Sequence, residues 1–299
     1  MDPDALKRYI REALTEAGAC AVGFARAEPV PEQELERFRD WTDRGLNGPL
    51  EYMRNYPDLR ANPQLLLEGA ATVVTSAWNY LPSALRDKSL PGVARYAYGR
   101  DYHKALRSRI RPVLRQIEAL TGTRGRICID SAPVLERYWA FRSGVALRGR
   151  NGCAIVPGKG SWIFLAEILL TVALEPDAPA GQSCLECGAC IKACPTGALQ
   201  PDGRIDAARC LSAATVEGAP LPADYAGEVP LLGCDRCQEV CPHNRGAGPS
   251  EWLEPLDLGW LDSLDTLFEE DFLRLSEGTS FRRPGLQLLR RNLSASRRK

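Results

Sequence analysis

The sequence predicts an α+β protein in three consecutive parts: an N-terminal α/β part over 1–175, a cysteine-rich part over 176–245, and a short helical, basic tail over 246–299. Three observations carry this. Amphipathic helical periodicity alternates with short apolar runs through the first 175 residues. Eight of the eleven cysteines crowd between Cys184 and Cys241. Finally, Ser280–Lys299 carries seven Lys/Arg and no acid (Arg282, Arg283, Arg290, Arg291, Arg297, Arg298 and Lys299).

Asp2 is placed to cap a helix with Pro3 at its first position. Leu6, Tyr9, Ile10, Ala13, Leu14 and Ala17 share one face of that helix, and Gly18 ends it. Ala21–Ala27 reads as a strand, Pro31–Gly45 as a helix, and 48–63 as a loop. Ala71–Tyr80 is a candidate buried strand. Asp101–Leu120 is a long amphipathic helix with Leu106, Ile110, Val113, Leu114, Ile117 and Leu120 inward. Arg124–Asp130 is a short strand ending in an aspartate, and Val134–Gly144 is another helix. In Asn151–Leu174 two apolar runs flank Pro157–Gly160, which predicts a β-hairpin with a glycine-rich turn. Pro176–Pro179 reads as a linker.

Composition is that of a globular protein, with 44% hydrophobic and 25% charged residues. Its formal charge is zero, so a polyanionic partner requires a local basic patch. The most apolar stretch, Trp162–Leu174, has 13 residues and contains Glu167, too short and too charged for a membrane span. Met1–Ile10 is polar and opens a helix, unlike a secretory signal. These features lead us to expect a cytoplasmic protein with no membrane partner, whose clustered CxxC spacing points to metal rather than disulfides.

The first cysteine motif is Cys184-x2-Cys187-x2-Cys190-x3-Cys194-Pro195, the bacterial ferredoxin run. Three thiolates at two-residue spacing reach three corners of one cubane, and the fourth cysteine serves a second cluster. The complement is Cys210 followed by Cys234-x2-Cys237-x3-Cys241-Pro242. Crossed pairing assigns Cys184, Cys187, Cys190 and Cys241 to cluster one, and Cys194, Cys210, Cys234 and Cys237 to cluster two. Structural zinc is the competing reading, and it does not call for this run twice. The segment Leu211–Gly233, between Cys210 and Cys234, is longer than a ferredoxin needs. It either contacts the redox acceptor of cluster two or is a tolerated surface loop.

No G-x-G-x-x-G opens a helix after a strand, and there is no P-loop. The two histidines, His103 and His243, read as packing or surface residues rather than ligands. Asp130, at the end of an apolar strand, is the best acid/base candidate. Partial burial is expected to raise its pKa toward neutrality, while a plain helix cap by Asp130 or Ser131 is the alternative.

Asp130-Ser-Ala-Pro-Val-Leu-Glu-Arg137, Tyr98-Gly-Arg-Asp-Tyr-His-Lys104 and the doubled cluster motif together resemble the epoxyqueuosine reductase family from the N-terminus to about Asn292. The resemblance implies a cobalamin-binding domain related to those of reductive dehalogenases, followed by a ferredoxin-like domain with two 4Fe-4S clusters. It implies reduction of epoxyqueuosine in a tRNA anticodon loop to queuosine, the last step of queuosine formation. By the same resemblance Asp130 matches the proton donor, Arg60 an arginine near the cobalamin, and Ala154 and Leu165 positions lining the corrinoid. Ser212 and Asp235 match cofactor contacts beside the second cluster, and Arg137 a residue facing tRNA. Arg150, also expected on the cofactor with Asn151, replaces a common lysine and so keeps charge but changes shape. Arg282, Arg283, Arg290 and Arg291 are expected on tRNA phosphates, in a tail that stops at the first helix of a longer repeat region. An external one-electron donor and a monomeric state complete the expectation. The competing functions are a corrinoid reductive dehalogenase, disfavoured by the absent export signal and the basic tail, and a pure electron-transfer module.

Overall fold

The structure is a computed structural model and describes residues 2–87, 89–181 and 184–297; Arg298 and Lys299 of the basic tail lie outside the described residues. Helix α1 (Pro3–Glu16) is capped as its sequence requires, with the Asp2 side chain accepting from the Asp4 and Ala5 amides. Strand β1 (Ala21–Arg26) follows, then α2 (Glu32–Asp43), α3 (Pro57–Ala61) and β2 (Thr72–Asn79). Helix α4 (Tyr102–Thr121) is capped by Asp101 and ends at Gly122 in the left-handed region. Strand β3 (Gly125–Cys128), α5 (Glu136–Arg142), β4 (Leu147–Arg148), β5 (Ala154–Ile155) and β6 (Ile163–Leu170) complete the N-terminal part.

One antiparallel sheet in the order β1-β2-β6-β3 organises this part. Its central strands β2 and β6 are buried almost end to end, so both faces carry cores. Phe24, Val74, Trp78, Phe164, Ala166 and Ile168 pack with the apolar faces of α1 and α4. The alternate residues Ala25, Val73, Cys128 and Leu169 face Tyr138 and Trp139 of α5, while Ala77 and Leu165 pack with Ala140. Gly23 is required where β1 crosses beneath the end of α5, because a Cβ there would stand 2.1 Å from the Ser143 carbonyl oxygen.

The predicted hairpin over 151–174 takes a different form. A tight turn does close at Val156–Gly160, but β5 pairs with β4, whereas β6 joins the main sheet between β2 and β3. A strand buried on both faces carries no alternation that names its partner.

The cysteine-rich part contributes α6 (Ala189–Ala193), α7 (Leu211–Glu217) and α8 (Arg236–Glu239). The tail adds α9 (Glu269–Leu275) and α10 (Gly285–Ser296). Leu258, Leu261, Phe272, Phe281, Leu286 and Leu289 of the tail form a core with Ala97, Tyr98, Leu231 and Leu232. Trp252 enters the main core beside Trp78, their rings edge to face at 5.8 Å. Among the described residues no helix is long and apolar enough to cross a membrane.

Candidate active site and cluster-binding loops

Asp130 leaves β3 with φ +47°, a left-handed conformation that aspartate tolerates better than bulkier residues. Its amide donates to Glu136 Oε1 at 2.6 Å, which clasps the loop to the start of α5. Its Oδ2 lies 2.9 Å from His103 Nε2, and His103 Nδ1 lies 2.8 Å from Asp101 Oδ1. Ionised carboxylates only accept hydrogen bonds, so a histidine with one against each ring nitrogen must donate from both and is an imidazolium. The Asp101 and Asp130 hydrogen bonds outweigh burial and push the His103 pKa up to about 9.

This reverses the expectation for Asp130. Burial raises its pKa, but the His103 hydrogen bond and charge, the neighbouring Tyr102 and the Arg283 charge carry it below the ordinary carboxylate value. The side chain is 48% exposed, so it faces incoming molecules as an anion with the proton one bond behind it. His103, expected as a packing or surface residue, bridges Asp101 and Asp130 at the centre of this cluster. The signal for it was present: an aspartate two residues ahead of a histidine in the first turn of a helix.

Behind Asp130 lies a carboxyl pair. Burial, then the Asp130 charge, raises Glu136 to about 8. Burial and the Glu136 charge push Glu167 well above its ordinary value, and both its carboxyl oxygens lack a hydrogen-bond partner. Glu167 sits opposite Thr75 in the β2–β6 ladder and opposite Cys128 in the β3–β6 ladder, on the sheet face that carries α5.

Other expected site residues surround this centre or the cysteine loops. Arg60 is buried on α3 and donates to the Asn55 and Tyr52 carbonyls at 3.1 and 3.2 Å, within range of the Glu136 charge. Arg283 of the tail pairs with Glu217 at 2.9 Å, lies 5.5 Å from the Tyr52 ring centre and acts on Asp130 electrostatically. Arg137 bonds the Gly152 carbonyl. Ala154 and Leu165 pack in one small apolar cluster. Asp235 accepts from the Arg95 amide at 2.8 Å and its guanidinium at 3.0 Å. Ser212 lies in the first turn of α7, two residues after Cys210. The partly buried Tyr96 feels the charges of both Asp130 and Asp235, which push its phenol pKa up together with burial.

Arg282, Arg290 and Arg291 of the tail are engaged within the chain. Arg282 bonds the Leu273 carbonyl. Arg290 donates to the Leu264, Asp265 and Leu267 carbonyls, and Arg291 to those of Gly218, Ala219 and Ala214 at the end of α7.

All eleven cysteines are free thiols. A pocket is walled by Cys184, Cys187, Cys190 and Cys241, with Arg150, Asn151 and His243 beside them. Cys241 and Cys190 each sense Cys184 and Cys187, whereas Cys237 senses Cys234, Cys210 and Cys194. The four thiols that the crossed motif assigns to cluster one share a pocket, and the crossed pairing remains the assignment proposed for both sets. Asn151 lines the first pocket and donates to the Cys237 carbonyl at 3.4 Å, so it bridges the two loops. Cys153, partly buried, senses Cys241 and Cys190, and it raises the Cys237 thiol in turn.

The donor set fits iron–sulfur clusters. One zinc ion would gather thiolates to about 3.8 Å of one another at Zn–S near 2.3 Å. Among the described residues no three of His, Cys, Asp and Glu converge closely enough for a single ion. The thiols of the first set stand around a pocket, as a multi-atom cluster requires. His243 Nε2 is buried without a partner beside that pocket, a donor available to a cluster sulfide.

Fold and site define a two-cluster electron-relay protein joined to a carboxylate–histidine acid site. The profile described as epoxyqueuosine reductase QueG, DUF1730 matches residues 60–131, and that of the 4Fe-4S double cluster binding domain matches 183–244. The chain is 34% identical to the epoxyqueuosine reductase of Leadbetterella byssophila, over 96% of this chain and 97% of that one. It is 37% identical to that of Vibrio cholerae, over 92% and 77%. The chain belongs to the epoxyqueuosine reductase family.

Solved structures agree. A crystal structure of epoxyqueuosine reductase with an epoxyqueuosine-modified tyrosine-tRNA stem loop superposes with a TM-score of 0.87 at 27% identity, covering 99% of this chain and 81% of that one. A Bacillus subtilis structure, with its catalytic aspartate loop swung out of the active site, matches at 0.86 and 27%, covering 99% and 82%. A catabolic reductive dehalogenase matches at 0.52 and 16% identity, over 82% of this chain and 33% of that one, and shows a shared fold alone.

Proposed function

We propose that this protein reduces epoxyqueuosine in a tRNA anticodon loop to queuosine, with cobalamin and two 4Fe-4S clusters as its cofactors. The observation that carries the reading is Asp130, half-exposed and hydrogen-bonded to an imidazolium, in a chain that also presents two sets of four thiols. The functional division follows 1–175 for cobalamin and substrate, 176–245 for the clusters and 246–299 for the tail. A cytoplasmic setting, a monomer and an external one-electron donor belong to the same reading.

Both histidines are placed for roles other than holding a corrinoid. His103 is held between two carboxylates, and His243 lies at the first cysteine pocket. This supports a cobalamin held by packing and polar contacts, for which we assign Arg60, Arg150, Asn151, Ala154, Leu165, Ser212 and Asp235. Bound cobalamin and the clusters supply the two electrons that convert an epoxide, with two protons, to an alkene and water. The chain supplies protons and position. As the carbon–oxygen bond opens, Asp130 stands at the developing alkoxide and transfers to it the proton drawn from His103. Asp101 keeps the imidazole oriented and charged, and the Glu136 clasp holds the Asp130 loop in place. Positioned proton donation of this kind is typically worth about 10²–10⁴-fold. Arg137 and the tail arginines, Arg283 nearest the site, are assigned to the RNA.

The test is conversion. Reduced, cobalamin-loaded protein is incubated with tRNA carrying epoxyqueuosine, and nucleosides are analysed by mass spectrometry. Queuosine is the expected product. Unchanged epoxyqueuosine with full clusters and corrinoid would overturn the assignment.

A further inference from the structure

Several tail arginines are bonded within the chain, but another basic surface is not. Arg107, Arg111 and Arg115 recur every four residues on α4, so they form one row along the helix about 12 Å long. The row flanks the buried stripe of Leu106, Ile110, Leu114 and Ile117 and faces β3, the edge strand of the sheet. Between helix and edge strand lies a groove of about 570 Å³ lined by these three arginines and by Arg126 of β3. Among the described residues Arg107, Arg111 and Arg115 make no ion pair; the pairs on this helix and its cap belong to His103. Arg126 uses one nitrogen on the Leu66 carbonyl at 2.7 Å. The single acid in the lining, Glu118, accepts the Gly125 amide at 3.1 Å. The far wall of the groove is Ser131–Pro133, the segment that immediately follows Asp130.

We propose that this arginine groove is a cradle for the phosphate backbone of the RNA substrate, seating the anticodon arm so that its loop reaches Asp130. The inference rests on the reading of the protein as an RNA-modifying reductase and adds to it a surface. Four guanidiniums on a chain of zero net charge are a local concentration of positive charge, the condition a polyanion requires. Their length in a row exceeds one phosphate group and suits a strand. Guanidinium forks bond phosphate oxygens in pairs, which fixes the register of the backbone without reading bases. Continuity with the Asp130 loop couples that register to the reacting nucleotide.

The experiment uses the cluster- and cobalamin-loaded protein and a fluorescein-labelled anticodon stem–loop RNA, with anisotropy read across a salt series. The triple variant Arg107→Gln, Arg111→Gln, Arg115→Gln is expected to weaken binding at least tenfold at about 0.1 M salt and to reduce the slope of log K against log salt by about 2 to 3. Should the triple variant fold poorly, Arg111→Gln alone is expected to lower the slope by about 0.7 to 0.9. Glu118→Gln, which keeps an acceptor for the Gly125 amide and removes the one negative charge, is expected to tighten binding severalfold. Unchanged affinity and slope in the arginine variants, or no tightening in Glu118→Gln, overturn the cradle while leaving the reductase assignment intact. A wild-type protein that neither binds the stem–loop nor converts modified tRNA overturns both.

Discussion

Asp101→Asn isolates the charge that holds the proton on His103. Asparagine caps a helix as well as aspartate does, so α4 keeps its first turn and the amide bond to His103 at 3.0 Å. What is lost is the Asp101 charge and, with it, the charge assistance of the hydrogen bond that contributes most to raising His103 to about 9. An opposite charge at this range shifts a pKa by about 1–3 units, so His103 is expected to fall to about 7.5. The sign is that of a raised histidine: the proton is present below the folded pKa and lost as pH rises through it. At pH 8.5 the protonated fraction drops from about 0.76 to about 0.09, an eightfold fall, while at pH 6.5 it changes by less than about a tenth. The assay is single-turnover conversion of epoxyqueuosine tRNA from pH 6 to 10, paired with NMR titration of the imidazole, which is simple with two histidines in the chain. An alkaline limb that stays near 9 in the variant, with the imidazole titrating at 7.5, would refute the assignment of His103 as the proton source.

Asp130→Asn should retain the visible spectra of corrinoid and clusters and lose about 10²–10⁴-fold in turnover; undiminished turnover would remove Asp130 from the chemistry. Cys184→Ser and Cys241→Ser should each abolish the same cluster, and Cys194→Ser and Cys234→Ser the other, as read by iron content and electron paramagnetic resonance. If Cys241→Ser instead matches Cys234→Ser, the pairing is not crossed. Glu167 has a folded pKa well above its unfolded value, so its burial makes stability fall as pH rises above about 4.5. Glu167→Gln should flatten that decline between about pH 5 and 8 in thermal unfolding, and an unchanged pH dependence would show that Glu167 does not titrate in this way.

The long helices and the cluster loops were legible because each is a local pattern. The inward stripe of α4 is the 3.6-residue period itself, and Leu120, expected inside, is the one member left exposed at the helix end. Partners distant in sequence were not legible. Strand β6 pairs with β2 and β3, and nothing in an apolar run states which strands will flank it. The charge state of Asp130 failed for the same reason. Position at a strand end argued for burial and a raised pKa, but the sign was decided by His103, 27 residues away. Counting arginines in the tail registered positive charge but not the carbonyls of Leu264, Asp265, Leu267, Gly218 and Ala219 that engage Arg290 and Arg291.

The proposed function calls for two kinds of traffic that interfere with one another. Thiolate ligands hold iron only while deprotonated, so an acid working beside them would compete with the metal for sulfur. In the proposed function the proton source is the half-exposed Asp130 with His103. Asp235, held by Arg95, directly follows Cys234 of the second set, and its charge is felt by both Cys234 and Tyr96. Arg95 is fixed in turn by Glu239 at 2.8 Å and lies 4.5 Å from the Trp162 ring centre. Reduction of an epoxide needs both supplies, protons and electrons, at one carbon–oxygen bond, and Tyr96, which feels the charges of Asp130 and Asp235 alike, is in electrostatic reach of both.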